Sequence, residues 1–183
     1  MTVGSLYLSL VILRFLMQWA RADFYNPISQ FVVKATNPPL KPLRKIIPGL
    51  WGLDMAAVVL ALLVQYVAMQ SVLLVYGVGW FNPANLMVWA AIAVVAAVLK
   101  LYFFTILVSI IFSWIAPTSQ HPALILLHQI NEPVLGPIRR LLPAMGGLDF
   151  SPIIVFISLN ILEILISNAA VTAGLPRGLT LFI

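Results

Sequence analysis

The longest uncharged stretch of the chain runs from Met55 to Leu99 without a single Asp, Glu, Lys or Arg. One helical crossing of a bilayer needs about 20 apolar residues, so this run holds two spans, or one span and an interfacial segment. No soluble domain could carry it. Of the 183 residues, 62% are hydrophobic and 8% charged, against roughly 45–50% and 25% in soluble domains. Four spans of about 20 residues take up nearly half of such a chain, leaving no separate soluble domain. The absence of cysteine excludes disulfides, thiolate metal sites, iron–sulfur clusters and covalent haem attachment. The apolar N-terminus, with no basic residue before it and no small-residue cleavage site, reads as a retained span and not a signal peptide.

The chain also repeats itself. Trp19 recurs as Trp114, Pro27 as Pro122, Arg44-Lys45 as Arg139-Arg140, Pro48 as Pro143 and Gly52-Leu53-Asp54 as Gly147-Leu148-Asp149, at an offset of about 95. Asn37-x-Pro39 matches Asn131-x-Pro133 one residue out of step, which implies compensating indels in a loop. The pattern reads as a tandem duplication. The expected fold is all-α: an integral membrane protein of four transmembrane helices in two tandem parallel hairpin repeats, joined within each repeat by amphipathic, proline-rich cytoplasmic connectors.

Spans are expected near Thr2 to Ala20, Met55 to Val78, Ala96 to Ala116 and Phe150 to Thr172, with connectors from Arg21 to Asp54 and Pro117 to Asp149. The organisation is then a first repeat over 1–78, a linker with an interfacial or bent helical extension over 79–95, a second repeat over 96–172, and a tail over 173–183. A helix from Pro83 to Pro117 would be about 50 Å long and would overshoot a core of roughly 30 Å, which favours the extension. Arg21, Lys34, Lys41, Arg44 and Lys45 lie in the first connector and Arg139 and Arg140 in the second, while the turn from Gly79 to Asn85 has no basic residue. The positive-inside rule puts both connectors in the cytoplasm and both termini outside. Shared orientation implies a pseudo-twofold axis along the membrane normal, unlike inverted repeats. The net charge of +5 is explained by this placement, and no nucleic acid partner is expected.

Asn26 can cap a helix that begins at Pro27, and Ile28, Phe31, Val32 and Ala35 share one face of it, suited to the headgroup layer. Pro42 to Pro48 and Pro137 to Pro143 read as single turns bounded by prolines. Their basic residues, with Lys41, Arg44, Lys45, Arg139 and Arg140 as the lipid- or partner-facing set, would each gain about 1 kcal/mol from anionic headgroups. Docking of a cytoplasmic protein is the functional alternative.

These motifs carry a resemblance. Trp19-x-x-x-Asp23-Phe24-Tyr25-Asn26-Pro27-x-Ser29-Gln30-Phe31, Asn37-x-Pro39, Pro42-x-Arg44-Lys45-x-x-Pro48 and the run from Pro137 to Pro152 closely resemble the YggT family in its two-copy proteobacterial form. YlmG proteins of other bacteria and plastids resemble one copy. Asn26, Pro27, Asn37, Pro39, Pro48, Asp54, Asn131, Pro133, Pro143 and Asp149 are the repeat-motif positions. The resemblance implies a link to osmotic or salt tolerance and potassium supply, or, by way of plastid relatives, to nucleoid distribution and cytochrome assembly. It brings no catalytic residues.

Polar groups inside the spans are the remaining candidates. Arg14 lies about two turns from Ala20 and is expected to snorkel to the interface. Glu163, roughly 20 Å above Asp149, and Lys100, roughly 24 Å above Ala116, sit near one level and form an expected intramembrane pair; the alternative is that Lys100 snorkels outward and Glu163 is protonated. Gln65 and Asn160 correspond between the repeats and are expected to bond across the repeat interface or to line a cation path with Glu163. His121, His128 and Glu132 are weak candidates for metal or acid–base chemistry. No Walker, dinucleotide or hydrolase motif occurs. The chain is therefore expected not to be an enzyme, with no catalytic, metal or cofactor residues and no cofactor. Its expected partners are the lipid bilayer with its anionic headgroups, further copies of itself, and a cytoplasmic protein. Two functions compete: support of ion homeostasis under osmotic stress, and a non-transporting scaffold that recruits partners through its basic connectors.

Overall fold

The computed structural model describes residues 2–50, 52–116, 118–141, 149–176 and 179. Six helices follow in chain order: α1 (Thr2–Trp19), α2 (Pro27–Ile46), α3 (Met55–Val75), α4 (Pro83–Ile115), α5 (Pro122–Leu141) and α6 (Ser151–Thr172). No strand occurs among the described residues. The helices α3, α4 and α6 are each long and apolar enough to cross a membrane, while the apolar part of α1 found by the same criterion, Gly4–Trp19, is shorter. This is a membrane protein.

Local signals set the boundaries. Asn82 accepts the Ala84 N–H at 2.9 Å and opens α4 at Pro83, whose missing N–H is no loss at a first-turn position. At the end of α3 the backbone must reverse; Gly77 takes φ +75, and the Val78 N–H reaches back to the Leu73 carbonyl at 2.9 Å. Gly174 closes α6 in the same way.

The connectors differ from expectation. Neither breaks into short turns at its prolines: α2 runs 20 residues through Pro38, Pro39 and Pro42, and α5 runs 20 residues through Pro133 and Pro137. An interior proline costs about 3 kcal/mol by losing a hydrogen bond and crowding the carbonyl four residues back. Burial of the opposite face offsets that cost, with Val32, Thr36 and Leu40 inside while Pro38 and Pro42 are exposed. The register is simpler than the loop reading implied. Buried Ser29, Thr36 and Leu40 of α2 match buried Leu124, Asn131 and Leu135 of α5 at a constant offset of 95, so no indels are needed. Thr36, not Asn37, occupies the place of Asn131, and Pro38, not Pro39, that of Pro133.

The segment expected to be an interfacial or bent extension continues as the same helix as the span after it. Leu86, Trp89, Ala90 and Ala93 are buried with Met69 and Leu73 of α3 and Ala170 and Leu175 at the end of α6. Trp89 Nε1 donates to the Ala173 carbonyl at 2.8 Å and its ring stacks on Phe81. A second core cluster draws on all six helices.

In both halves the first long helix packs on the second, and the connector helix touches both. The halves are nevertheless joined in an open pattern. A pseudo-twofold would pair α3 with α4 and α6 with α1 alike; α3 packs on α4, but among the described residues α6 makes no contact with α1. Among the described residues α6 is peripheral, packed against α4 and α5.

Candidate functional site

At one end of the bundle α2 and α5 lie in contact. Their starts are tied together: Asn26 accepts the Ile28 N–H at 2.9 Å as the cap of α2, and its Nδ2 donates to the Pro122 carbonyl at 2.7 Å. Nearby, the Asp23 N–H donates to Gln129 Oε1 at 2.9 Å. The two connectors therefore form one platform.

Each connector is also locked at its far end by the same device. Arg44, in the last turn of α2, donates to Asp54 through Nε at 3.2 Å and also through Nη2. Asp54 is buried and its other oxygen caps α3 by accepting the Ala57 N–H. In the second half Arg139 Nε donates to Asp149 at 2.8 Å, and Asp149 accepts the Ser151 N–H at 2.9 Å. Glu132 adds a second carboxylate to Arg139 at 2.9 Å. Gly136 leaves the space for it, because a Cβ there would lie 2.7 Å from Glu132 Oε1. Partial burial acts to raise the Asp149 carboxyl, but hydrogen bonds from Ser151 and Arg139 and the guanidinium charge outweigh it and hold it below the ordinary carboxylate value.

Sequence reasoning missed these locks. It treated Arg44 and Arg139 as lipid- or partner-facing; in the structure both side chains are partly exposed and both guanidiniums are bound to carboxylates ten residues on. The signal was present, since Arg44 to Asp54 and Arg139 to Asp149 have equal spacing. Lys41, Lys45 and Arg140 are exposed and enter no ion pair among the described residues. Pro27 starts α2, Asn37 and Pro39 are half-buried within it, and Pro48 is exposed beyond its end. Pro143 lies outside the described residues, as does the rest of the proline-bounded turn after Leu141.

Within the spans the expected residues are only partly brought together. Lys100 Nζ stands 3.5 Å from Glu163 Oε1, both side chains nearly half exposed on the surface shared by α4 and α6. Gln65 and Asn160 do not meet. Gln65 is fully buried in α3 with neither amide atom partnered, whereas Asn160 faces outward and returns its Nδ2 to the Phe156 carbonyl at 2.8 Å. The open packing explains this, because α6 lies away from α3. Asn131 instead is the polar centre of the second half: Thr105 donates to its Oδ1 at 2.8 Å and its Nδ2 donates to Ser109 at 3.1 Å, all buried.

Arg14 also departs from expectation. It does not snorkel to an exposed position but is 6% exposed, with its guanidinium 5.3 Å from the Phe24 ring centre. His121 accepts the Ala123 N–H through Nδ1 at the start of α5, and Glu132 is occupied by Arg139. Among the described residues no three His, Cys, Asp or Glu side chains are grouped to hold a metal.

Residues 1–75 and 88–170 match the family described as CCB3/YggT, leaving out the turn between the halves. A protein of Pseudomonas aeruginosa is 51% identical over all of this chain and 93% of its own length. YggT of Escherichia coli K12 is 38% identical over 94% of this chain and 89% of its own, and a Vibrio alginolyticus protein is 38% identical over 91% and 90%. No solved structure matches the chain.

Proposed function

The chain belongs to the CCB3/YggT family, and from that premise we propose that it is a non-catalytic, four-span protein of the bacterial inner membrane whose connectors form one cytoplasmic platform for a partner protein. Through that platform it supports ion homeostasis under osmotic stress. The two halves are tandem copies, an interpretation supported by the constant offset of the connector helices and by the two stretches of the family match. The observation that carries the platform is the pair of Arg–Asp locks. They hold α2 and α5 rigidly while Lys41, Lys45 and Arg140 remain free for anionic headgroups and an acidic partner surface.

A second reading, direct passage of a cation, draws on buried Gln65 with its unpartnered amide and on the Lys100–Glu163 pair. Gln65 stands on α3 and Glu163 on α6, and among the described residues these helices do not touch, which favours the platform. Potassium flux from liposomes containing the purified chain separates the two. The platform predicts flux equal to protein-free liposomes, and loss of growth in high salt for a Lys41→Glu, Lys45→Glu, Arg140→Glu chain that still inserts normally. Flux that disappears in Gln65→Leu or Glu163→Gln would establish the second reading instead.

A further inference from the structure

Arg14 reaches into a cavity of about 350 Å³ where the last turns of α1 meet the end of α2 and the loop before α3. Its Nε and Nη1 are buried and have no acceptor. Phe24 covers part of the guanidinium but supplies no hydrogen-bond acceptor. Arg44 and Asp54 line the same cavity and satisfy one another. Two guanidiniums thus face one carboxylate, and one positive charge is left buried without a counter-ion, a costly arrangement unless an anion completes it. The walls are a mixture of Gln18, Ile47 and Leu53. Gln18 donates to the Gly52 carbonyl at 3.2 Å, which pins the loop over the cavity.

We propose that this cavity is a binding site for a phosphate group, taken by the unpaired donors of Arg14 and completed by Arg44. Guanidinium is suited to this ligand, being planar, permanently charged and rich in donors matched to phosphate oxygens. The volume exceeds that of a bare halide and admits a phosphate with its substituent. The site lies at the connector end of the spans, where a lipid headgroup and a soluble phosphate can both reach it. The second half has no arginine at the matching place. The position of Arg14 is taken there by Ser109, which is bonded to Asn131 within a closed network. The site is separate from the exposed lysines of the platform, so its failure would leave the platform standing.

The test is thermal unfolding of the full chain in non-ionic detergent, at matched ionic strength. One arm compares inorganic phosphate with chloride, and the other compares phosphatidylglycerol with diacylglycerol, which has the same tails and no phosphate. Near-saturating ligand is expected to raise Tm by about 5 °C. A rise with inorganic phosphate identifies a soluble anion site; a rise with phosphatidylglycerol alone identifies a headgroup site. The rise is expected to vanish in Arg14→Met and in Ile47→Phe, which fills the cavity and leaves Arg14 in place, and to persist in Arg140→Gln. No rise in either arm, or an equal rise in Ile47→Phe, overturns the site even if Arg14→Met does not fold.

Discussion

The two Arg–Asp locks are built alike, and the clusters around them are charged oppositely. In the first half Arg14, Arg44 and Asp54 carry one positive charge in excess around a cavity; in the second Arg139 is held between Glu132 and Asp149, with one negative charge in excess. Their interiors differ in the same sense. The second half joins Thr105, Asn131 and Ser109 in one buried network, with the Tyr102 hydroxyl left unpaired, whereas the first buries Arg14 with charged donors to spare. A shared Arg–Asp lock therefore fixes the fold of both halves, and the neighbouring residues leave the first with unpaired guanidinium donors. Structure is repeated while chemistry is not.

The largest expected effect compares the locks. Asp54→Ala removes a buried cap and strands Arg44, and is expected to cost about 3 kcal/mol. Asp149→Ala, at a 42% exposed side chain, should cost about 1 kcal/mol. Thermal unfolding in detergent measures both, and equal losses would break the asymmetry. Next, Asn131→Leu leaves Thr105 and Ser109 without their partner and is expected to cost about 1–3 kcal/mol. Thr36→Val, at the matching position, loses only a hydroxyl bonded to its own helix and should change stability by well under that.

Much of this architecture was legible because lipid is a severe solvent. Apolar runs located α3, α6 and the end of α4 within a few residues of their observed bounds, while α4 begins thirteen residues before the expected span, and Asn26 marked a helix start that the structure has. The connectors were misread because Pro38, Pro42, Pro133 and Pro137 are local signals for a break, and what overrides them is burial of residues such as Thr36 and Leu135 against other helices. The carboxylate partners of Arg44 and Arg139 were missed for a related reason. Their partners lie ten residues on, beyond any helical spacing, and only the repeated interval could have revealed them. Arg14 was read from its distance to the interface, whereas its environment depends on how the loop before α3 folds over it.

The weaker predictions sharpen the same contrast. The Asp149 carboxyl titrates below its unfolded value, so its stabilisation is complete above the ordinary carboxylate pKa of about 3.9 and is lost as the pH falls through the folded value. Tm should fall on acidification below about pH 4, less steeply in Asp149→Asn; an unchanged slope would remove Asp149 from the account. The smallest effect is expected from Gly136→Ala. The new methyl displaces the flexible Glu132 carboxylate from Arg139, at a cost of about 0.5 kcal/mol or less, and the same substitution in an already altered Glu132→Gln chain should add nothing.

The central claim is that both connectors stand together at one face of the membrane. The natural absence of cysteine makes it directly measurable: Lys45→Cys, Arg140→Cys and Trp80→Cys chains, each with one thiol at an exposed position, are treated in intact cells and in inverted vesicles with a thiol reagent that cannot cross the bilayer. The account predicts labelling at 45 and 140 only in inverted vesicles and at 80 only in intact cells. Labelling of 45 and 140 from opposite sides would contradict it.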